Sequence, residues 1–175
     1  KSEGGALWLD ASKTSPFKMY QFLLNSDDQS VFEYLKILTT LSKEEIETIE
    51  KNHQENQHLR IAQKALAKNV VEIVHGEEVA KNVISATEVL FGGKAFENLT
   101  KAEIEVLKYE IPVAPKDKTV SEILIETNFA KSKGEAKRLI SANSISFNSN
   151  KLQEDIQITE KGLLKKGKNN FILID

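Results

Sequence analysis

Apolar residues recur three and four positions apart through the first 110 residues, and helix-starting residues stand just ahead of each run. Ser15-Pro16 opens a helix carrying Phe17, Tyr20, Leu23 and Leu24, because serine caps and a proline at the first helical position gives up no needed donor. Asp27 or Asp28 caps a second, with Val31, Phe32, Leu35 and Leu38 along one face. Ser42-Lys43-Glu44-Glu45 is a capping box ahead of Ile46 and Ile49. Leu59, Ala62, Leu66, Val70, Ile73 and Val74 mark a longer helix that Gly76 ends. Glu77-Glu78 favours the start of the next through the helix dipole; it carries Val79, Val83, Ala86 and Leu90 and stops at Gly92-Gly93. Thr100 to Glu103 is a second capping box, with Ile104 and Leu107 behind it. Strand-like alternation is nearly absent, so residues 15–111 read as an all-α bundle. Trp8, Phe17, Tyr20, Phe22, Phe32 and Tyr34 are spaced as core. His53 and His58 lie in a polar connector (Lys51 to Gln57) and read as surface; His75, at a helix C-terminus, reads as structural.

The period then changes. Val120, Ile123, Leu124 and Ile125 suggest a helix after Thr119, and Ser132 to Glu135 is another capping box, followed by the stripe Ala136, Leu139 and Ile140. Ser144 to Asn148 alternates strictly, and Asn148-Ser149-Asn150-Lys151 has turn chemistry. Leu163-Leu164, the basic run to Asn170, and Phe171 to Ile174 read as strand, turn, strand. Residues 119–175 are therefore a small α+β unit. Pro112 and Pro115 in the stretch 112–118 remove donors and disfavour helix before them, which places a linker there. The expected architecture is a mostly α N-terminal helical bundle followed by a small α+β domain, with residues 1–14 as an opening connector.

Charge sharpens this division. The chain of 175 residues has a net charge of −2, from 24 Lys+Arg and 26 Asp+Glu. Residues 1–115 hold 13 basic and 18 acidic side chains, whereas residues 116–175 hold 11 and 8. Lys131, Lys133, Lys137, Arg138 and Lys151 face only Glu135 over their stretch, and Lys161, Lys165, Lys166 and Lys168 form a second knot. A capped helix presenting Lys133, Lys137 and Arg138, a turn presenting Asn148 and Lys151, and a basic turn with Lys165, Lys166 and Lys168 suit a regularly spaced polyanion such as RNA. Arginine is confined to Arg60 and Arg138, which argues against dense bidentate base reading. The absence of cysteine excludes disulfides, thiol catalysis and thiolate-held zinc. No metal-ligand spacing surrounds the three histidines, no nucleophile–base pairing stands out, and no apolar run approaches membrane-spanning length.

Read together, these segments resemble the C-terminal region of bacterial tyrosyl-tRNA synthetases, along the whole chain. Lys1-Ser2 looks like the last two residues of the class I signature loop, Lys-Met-Ser-Lys-Ser. Glu3-Gly4-Gly5, Trp8-Leu9-Asp10, Thr14-Ser15-Pro16-Phe17, Tyr20-Gln21-Phe22 with Asn25, Val74 to Glu78 and Leu90 to Gly93 follow in the family's order. Ser132-Lys133, Ala136-Lys137-Arg138, Ile145 to Asn148 and Lys151-Leu152 look like an RNA-binding module shared with a ribosomal small-subunit protein. Lys165-Lys166-Gly167-Lys168 is similar to the family's Arg-Arg-Gly-Lys run, with lysines for arginines.

The resemblance implies a cytoplasmic tyrosine–tRNA ligase whose catalytic domain, absent from this chain, forms the tyrosyl-adenylate and holds the homodimer contacts. ATP with magnesium is then a substrate of the full-length enzyme and not of this fragment, and Lys1 and Ser2 are the remnant that meets ATP phosphates. The partner implied is tRNA(Tyr): Asp27 matches a carboxylate that reads guanine in the first anticodon position, and the basic module grips the variable arm. The alternative is a non-enzymatic RNA-binding or ribosome-associated factor carrying the same module on a helical adaptor.

Overall fold

In a computed structural model that describes residues 7–175, each serine or threonine anticipated as a cap opens a helix. The chain divides into two compact units, one through Ile84 and one from Ser85 to Asp175. In the first, the Ser15 hydroxyl accepts from the Lys18 amide at 3.2 Å and starts α1 (Pro16–Leu24). Helices α2 (Val31–Leu38) and α3 (Lys43–Glu55) follow, the latter with a complete capping box between Ser42 and Glu45. All three pack on α4 (Ile61–His75). Ala62 and Ala67, both fully buried, keep the surface of α4 low enough for close approach, and Leu66 and Val71 fill the space between. Helix α5 (Glu77–Thr87) carries the chain across the division.

Two features of this unit differ from the sequence reading. The buried stripe of α1 is Phe17, Met19, Tyr20 and Leu23, so Phe22 falls off it and is 61% exposed; Trp8 and Tyr34 are also exposed. His53 is buried, because α3 continues through Glu55 where a polar connector is expected and turns that ring inward.

The second unit is built around a sheet. After a π-helical turn at Glu88–Gly92, α6 (Lys101–Glu110) starts from the Thr100–Glu103 capping box. Then come β1 (Val113–Ala114), β2 (Lys118–Thr119), α7 (Val120–Glu126), α8 (Lys133–Ser141), β3 (Ile145–Phe147), β4 (Asn150–Lys151), β5 (Gln157–Ile158), β6 (Gly162–Lys166) and β7 (Asn170–Ile174). The main sheet runs β1-β7-β6-β3-β4, and β2 pairs with β5. The proline-containing stretch 112–118 is thus paired chain: β1 runs parallel to β7 at the sheet edge, where flanking prolines cost no ladder bond, and β2 lies antiparallel to β5.

Register fixes which side chains share a face. Phe147, Leu164 and Ile172 form one row across β3, β6 and β7, and join Ile123, Leu124, Ala136 and Ile140 of α7 and α8 in one core. Ser146, Lys165 and Phe171 form the adjacent row, which faces the opposite way because strand side chains alternate. Gly162 is required by contact: a Cβ there would meet the Phe147 ring and stand 2.5 Å from Asn148 Oδ1.

Asp175 ties the end of β7 down. Its carboxylate meets Lys108 Nζ at 2.6 Å and Lys161 Nζ at 2.5 Å, and these ammonium donors hold its pKa down at about 2. A carboxyl depressed in the folded state contributes stability that is complete above its ordinary value near 4 and is lost as pH falls through 4 toward 2. Partial exposure limits the contribution to between about 1 and 2 kcal/mol. Asp175→Asn is expected to remove that amount at neutral pH and to flatten the stability of the second unit between pH 4 and 2, measured by denaturant titration at each pH.

Candidate nucleic-acid interface

Helix α8 supplies the densest set of cations. The Ser132 hydroxyl accepts from the Glu135 amide at 3.3 Å and starts the helix, while Glu135 turns its carboxylate back to the Lys131 amide at 2.8 Å. That contact commits the only acidic side chain among residues 131–151 to the backbone. Ala136 and Ile140 are the buried positions of α8, so Lys133 and Lys137, one turn apart, stand exposed on the other side. Arg138 folds back, its Nε donating to the Gly134 carbonyl at 3.3 Å. Among the described residues none of Lys131, Lys133, Lys137 and Arg138 forms an ion pair, although Glu122 acts on Lys133 at longer range, whereas Lys118 and Lys161 of the same unit are paired with Glu126 and Asp175. Lys137 also borders a shallow hollow shared with Glu154 and Asp155.

The other candidate residues do not all join this surface. Neighbours on a strand face opposite ways, and that separates the lysine pair in β6. Lys166 lies on the helical side, where its ammonium donates to the Phe129 carbonyl at 2.6 Å in the turn before α8. Lys165 lies on the opposite face, its Nζ 5.0 Å from the centre of the Phe171 ring. Lys151 pairs with Ser146 across β3 and β4 and so shares the face of Lys165. Lys168 is exposed in the β6–β7 turn, which Gly167 closes with φ +64 and a bond from its amide to the Ser144 carbonyl at 2.9 Å. Asn148 serves the fold: its Oδ1 accepts from the Leu163 amide at 2.9 Å and so anchors the β3–β4 turn.

In the first unit, Asp27 is exposed between α1 and α2. Its Oδ1 accepts from the amides of Ser30 at 2.8 Å and Gln29 at 3.0 Å. Those bonds, Ser30 foremost, lower its pKa and keep a carboxylate there at neutral pH. The residue caps the turn into α2 while remaining open to solvent.

The segment that carries Asp27 is braced by residues that pattern reading passes over. Arg60, in a left-handed conformation (φ 54), donates through Nη2 to the carbonyls of Leu24 at 2.8 Å and Ser26 at 3.1 Å. Gln63 Nε2 reaches Asp28 Oδ1 at 2.5 Å. His53 stands edge-on to Phe32, with Nε2 3.2 Å from the same Asp28 oxygen. The signal available in the sequence was Gln63, a polar residue on the same stripe as Leu66 and Ala67. Arg60 and His53 carry none, since Arg60 reaches carbonyls more than thirty residues away in the sequence and the burial of His53 depends on how α3 and α4 meet.

Lys1 and Ser2 lie outside the described residues. Among the described residues no group of three histidine or carboxylate side chains could hold a metal ion, and no helix is long and apolar enough to cross a membrane.

A family model described as tRNA synthetases class I (W and Y) matches residues 1–92. A tyrosine–tRNA ligase of Flavobacterium johnsoniae is 39% identical over 192 residues, taking in 99% of this chain and 44% of the relative. One from Lactococcus lactis subsp. cremoris is 41% identical over 186 residues, with 99% and 44% covered. Among solved structures, a C-terminally truncated mitochondrial tyrosyl-tRNA synthetase of Aspergillus nidulans superposes with a TM-score of 0.50 at 37% identity, over 52% of this chain and 25% of that one. The chain spans less than half the length of the curated relatives it matches, in their C-terminal part.

Proposed function

Because the chain belongs to the class I tRNA synthetases (W and Y) and matches the C-terminal part of tyrosine–tRNA ligases, we propose that it is the region that holds tRNA(Tyr) while a catalytic domain elsewhere in the parent enzyme, a homodimer in the cytoplasm, performs ATP-dependent tyrosylation. The observation that carries the reading is the exposed α8 surface, where Lys133, Lys137 and Arg138 form no ion pair among the described residues and Glu122 acts on Lys133 only at longer range. Unneutralised cations on a rigid helix displace counterions from several phosphates at once, which gives affinity without sequence reading. Lys166 and Lys168 extend that surface through the β6–β7 turn. Lys1 and Ser2 are proposed to belong to the signature loop that meets ATP phosphates; the tyrosylation chemistry belongs to the catalytic domain.

Asp27 supplies specificity in this reading. One of its oxygens is occupied by the Ser30 and Gln29 amides, which orients the carboxylate and keeps it ionised. The other oxygen keeps both lone pairs and can accept from the N1–H and exocyclic amine of guanine, a pair of donors that no other standard base presents together. Asp27→Ala is expected to reduce the preference for a guanine at the first anticodon position by about tenfold or more, with affinity for a tRNA lacking that guanine nearly unchanged. Binding titrations against the two tRNAs read this directly. An equal loss on both would leave Asp27 as a turn cap alone.

A further inference from the structure

The sheet face turned away from α7 and α8 closes a cleft of about 240 Å³ against residues 89–96, and the α8 surface makes no use of it. Phe91 stands in its wall, 52% exposed, and meets Phe171 edge-on with ring centres 5.4 Å apart. Phe171 is buried and supports that ring from the sheet side. Lys165, half-buried, lies in the same cleft and has no carboxylate partner among the described residues, whereas Lys94 on the facing wall is held by Ser85 and by Glu103 at 3.7 Å. The Ser146 hydroxyl, beside Lys165 in the cross-strand row, also lacks a hydrogen-bond partner among the described residues. Lys151 continues the row to the sheet edge.

An open aromatic ring, a free hydroxyl and an uncompensated ammonium within one small cleft match a flat base joined to a phosphate. The volume lies below the roughly 300–1,000 Å³ of sites that enclose drug-sized ligands, which suits one base and not a stacked pair. A base inside a duplex has both faces covered and cannot reach Phe91, so the occupant is unpaired. We propose that this cleft takes one unpaired nucleotide of the bound RNA, its base stacked on Phe91 and its phosphate on Lys165. The assignment rests on the tRNA-holding function proposed above and adds a second, single-strand-specific contact on the other side of the sheet.

The test uses the 175-residue chain with tRNA(Tyr), a single-stranded RNA tetranucleotide, a short RNA duplex and free nucleoside monophosphates. Phe91→Ala is expected to weaken tetranucleotide and tRNA binding by roughly 5- to 100-fold, the span of one lost base–aromatic stack, with the salt dependence unchanged. Phe91→Trp keeps a ring in place and is expected to restore binding. Lys165→Gln is expected to weaken binding and to lower the salt slope by about 1. In amide-resolved NMR titrations the tetranucleotide shifts residues 91–94 and 146, and the duplex leaves them unmoved. Wild-type affinity in Phe91→Ala, or tetranucleotide shifts confined to α8, overturns the cleft while leaving the tRNA function standing. A mononucleotide that binds as tightly as the tetranucleotide overturns RNA as its source. Loss of tRNA binding only in α8 variants, with none in Phe91→Ala or Lys165→Gln, also overturns the cleft alone, whereas no binding of tRNA by the unaltered chain overturns both proposals.

Discussion

Reversing Lys133 and Lys137 together, as Lys133→Glu with Lys137→Glu, is expected to lower affinity for tRNA(Tyr) by about 100-fold near 0.1 M salt. Each phosphate neutralised on a duplex contributes roughly eightfold at that salt through counterion release, and reversal adds repulsion to the loss of two such contacts. The substitutions leave the helix intact, because Ala136 and Ile140 hold α8 to the core and both lysines are exposed. Exchange for glutamine instead removes the contacts without the repulsion, so the loss is smaller and the slope of log affinity on log salt falls by about 2. Fluorescence anisotropy with labelled tRNA measures all three proteins. Retention within threefold in the double Glu variant would mean that α8 is not the RNA-facing surface.

The second large effect is on folding. Leu164 is fully buried in β6, paired on both sides by β3 and β7 and packed in the core beneath α7 and α8. Leu164→Ala deletes side-chain volume that these strands cannot close over, at a cost of about 2–5 kcal/mol. A domain's whole margin is about 5–15 kcal/mol, so the second unit is brought close to unfolding. Amide exchange is expected to accelerate through β6 and β7 while α4, whose core is Leu66, Ala67 and Val71 in the other unit, keeps its protection. Equal acceleration in α4 would show that the two units melt as one. Loss of tRNA binding should follow the melting of the second unit.

Helix starts were legible because a cap is a local event. Ser15, Ser42, Thr100, Thr119 and Ser132 each satisfy an orphan amide within three residues, and nothing distant is needed. The β6–β7 hairpin was legible for the same reason. Two-residue strands were not. Val113–Ala114 becomes a strand only because Leu173 and Ile174 arrive beside it, some sixty residues later, so the prolines around it read as linker. His53 is surrounded by polar residues in the sequence and is buried by the meeting of α3 and α4, a tertiary event that local polarity hides. The chemistry split in a similar way. The cations of α8 could be named from a capping box and a charge count. That Lys165 and Lys166 face opposite ways follows from strand alternation once the strand is known to include both, and that extension of the strand into the basic run was the missing piece.

In the proposed function, cations of the second unit that form no ion pair hold the tRNA by displacing its counterions. The salt dependence of the unaltered chain's affinity for tRNA(Tyr) reads this out. With four to six phosphates engaged, log affinity should fall against log salt with a slope of roughly −3 to −5. A slope near zero, with binding otherwise intact, would mean that these cations do not carry the affinity.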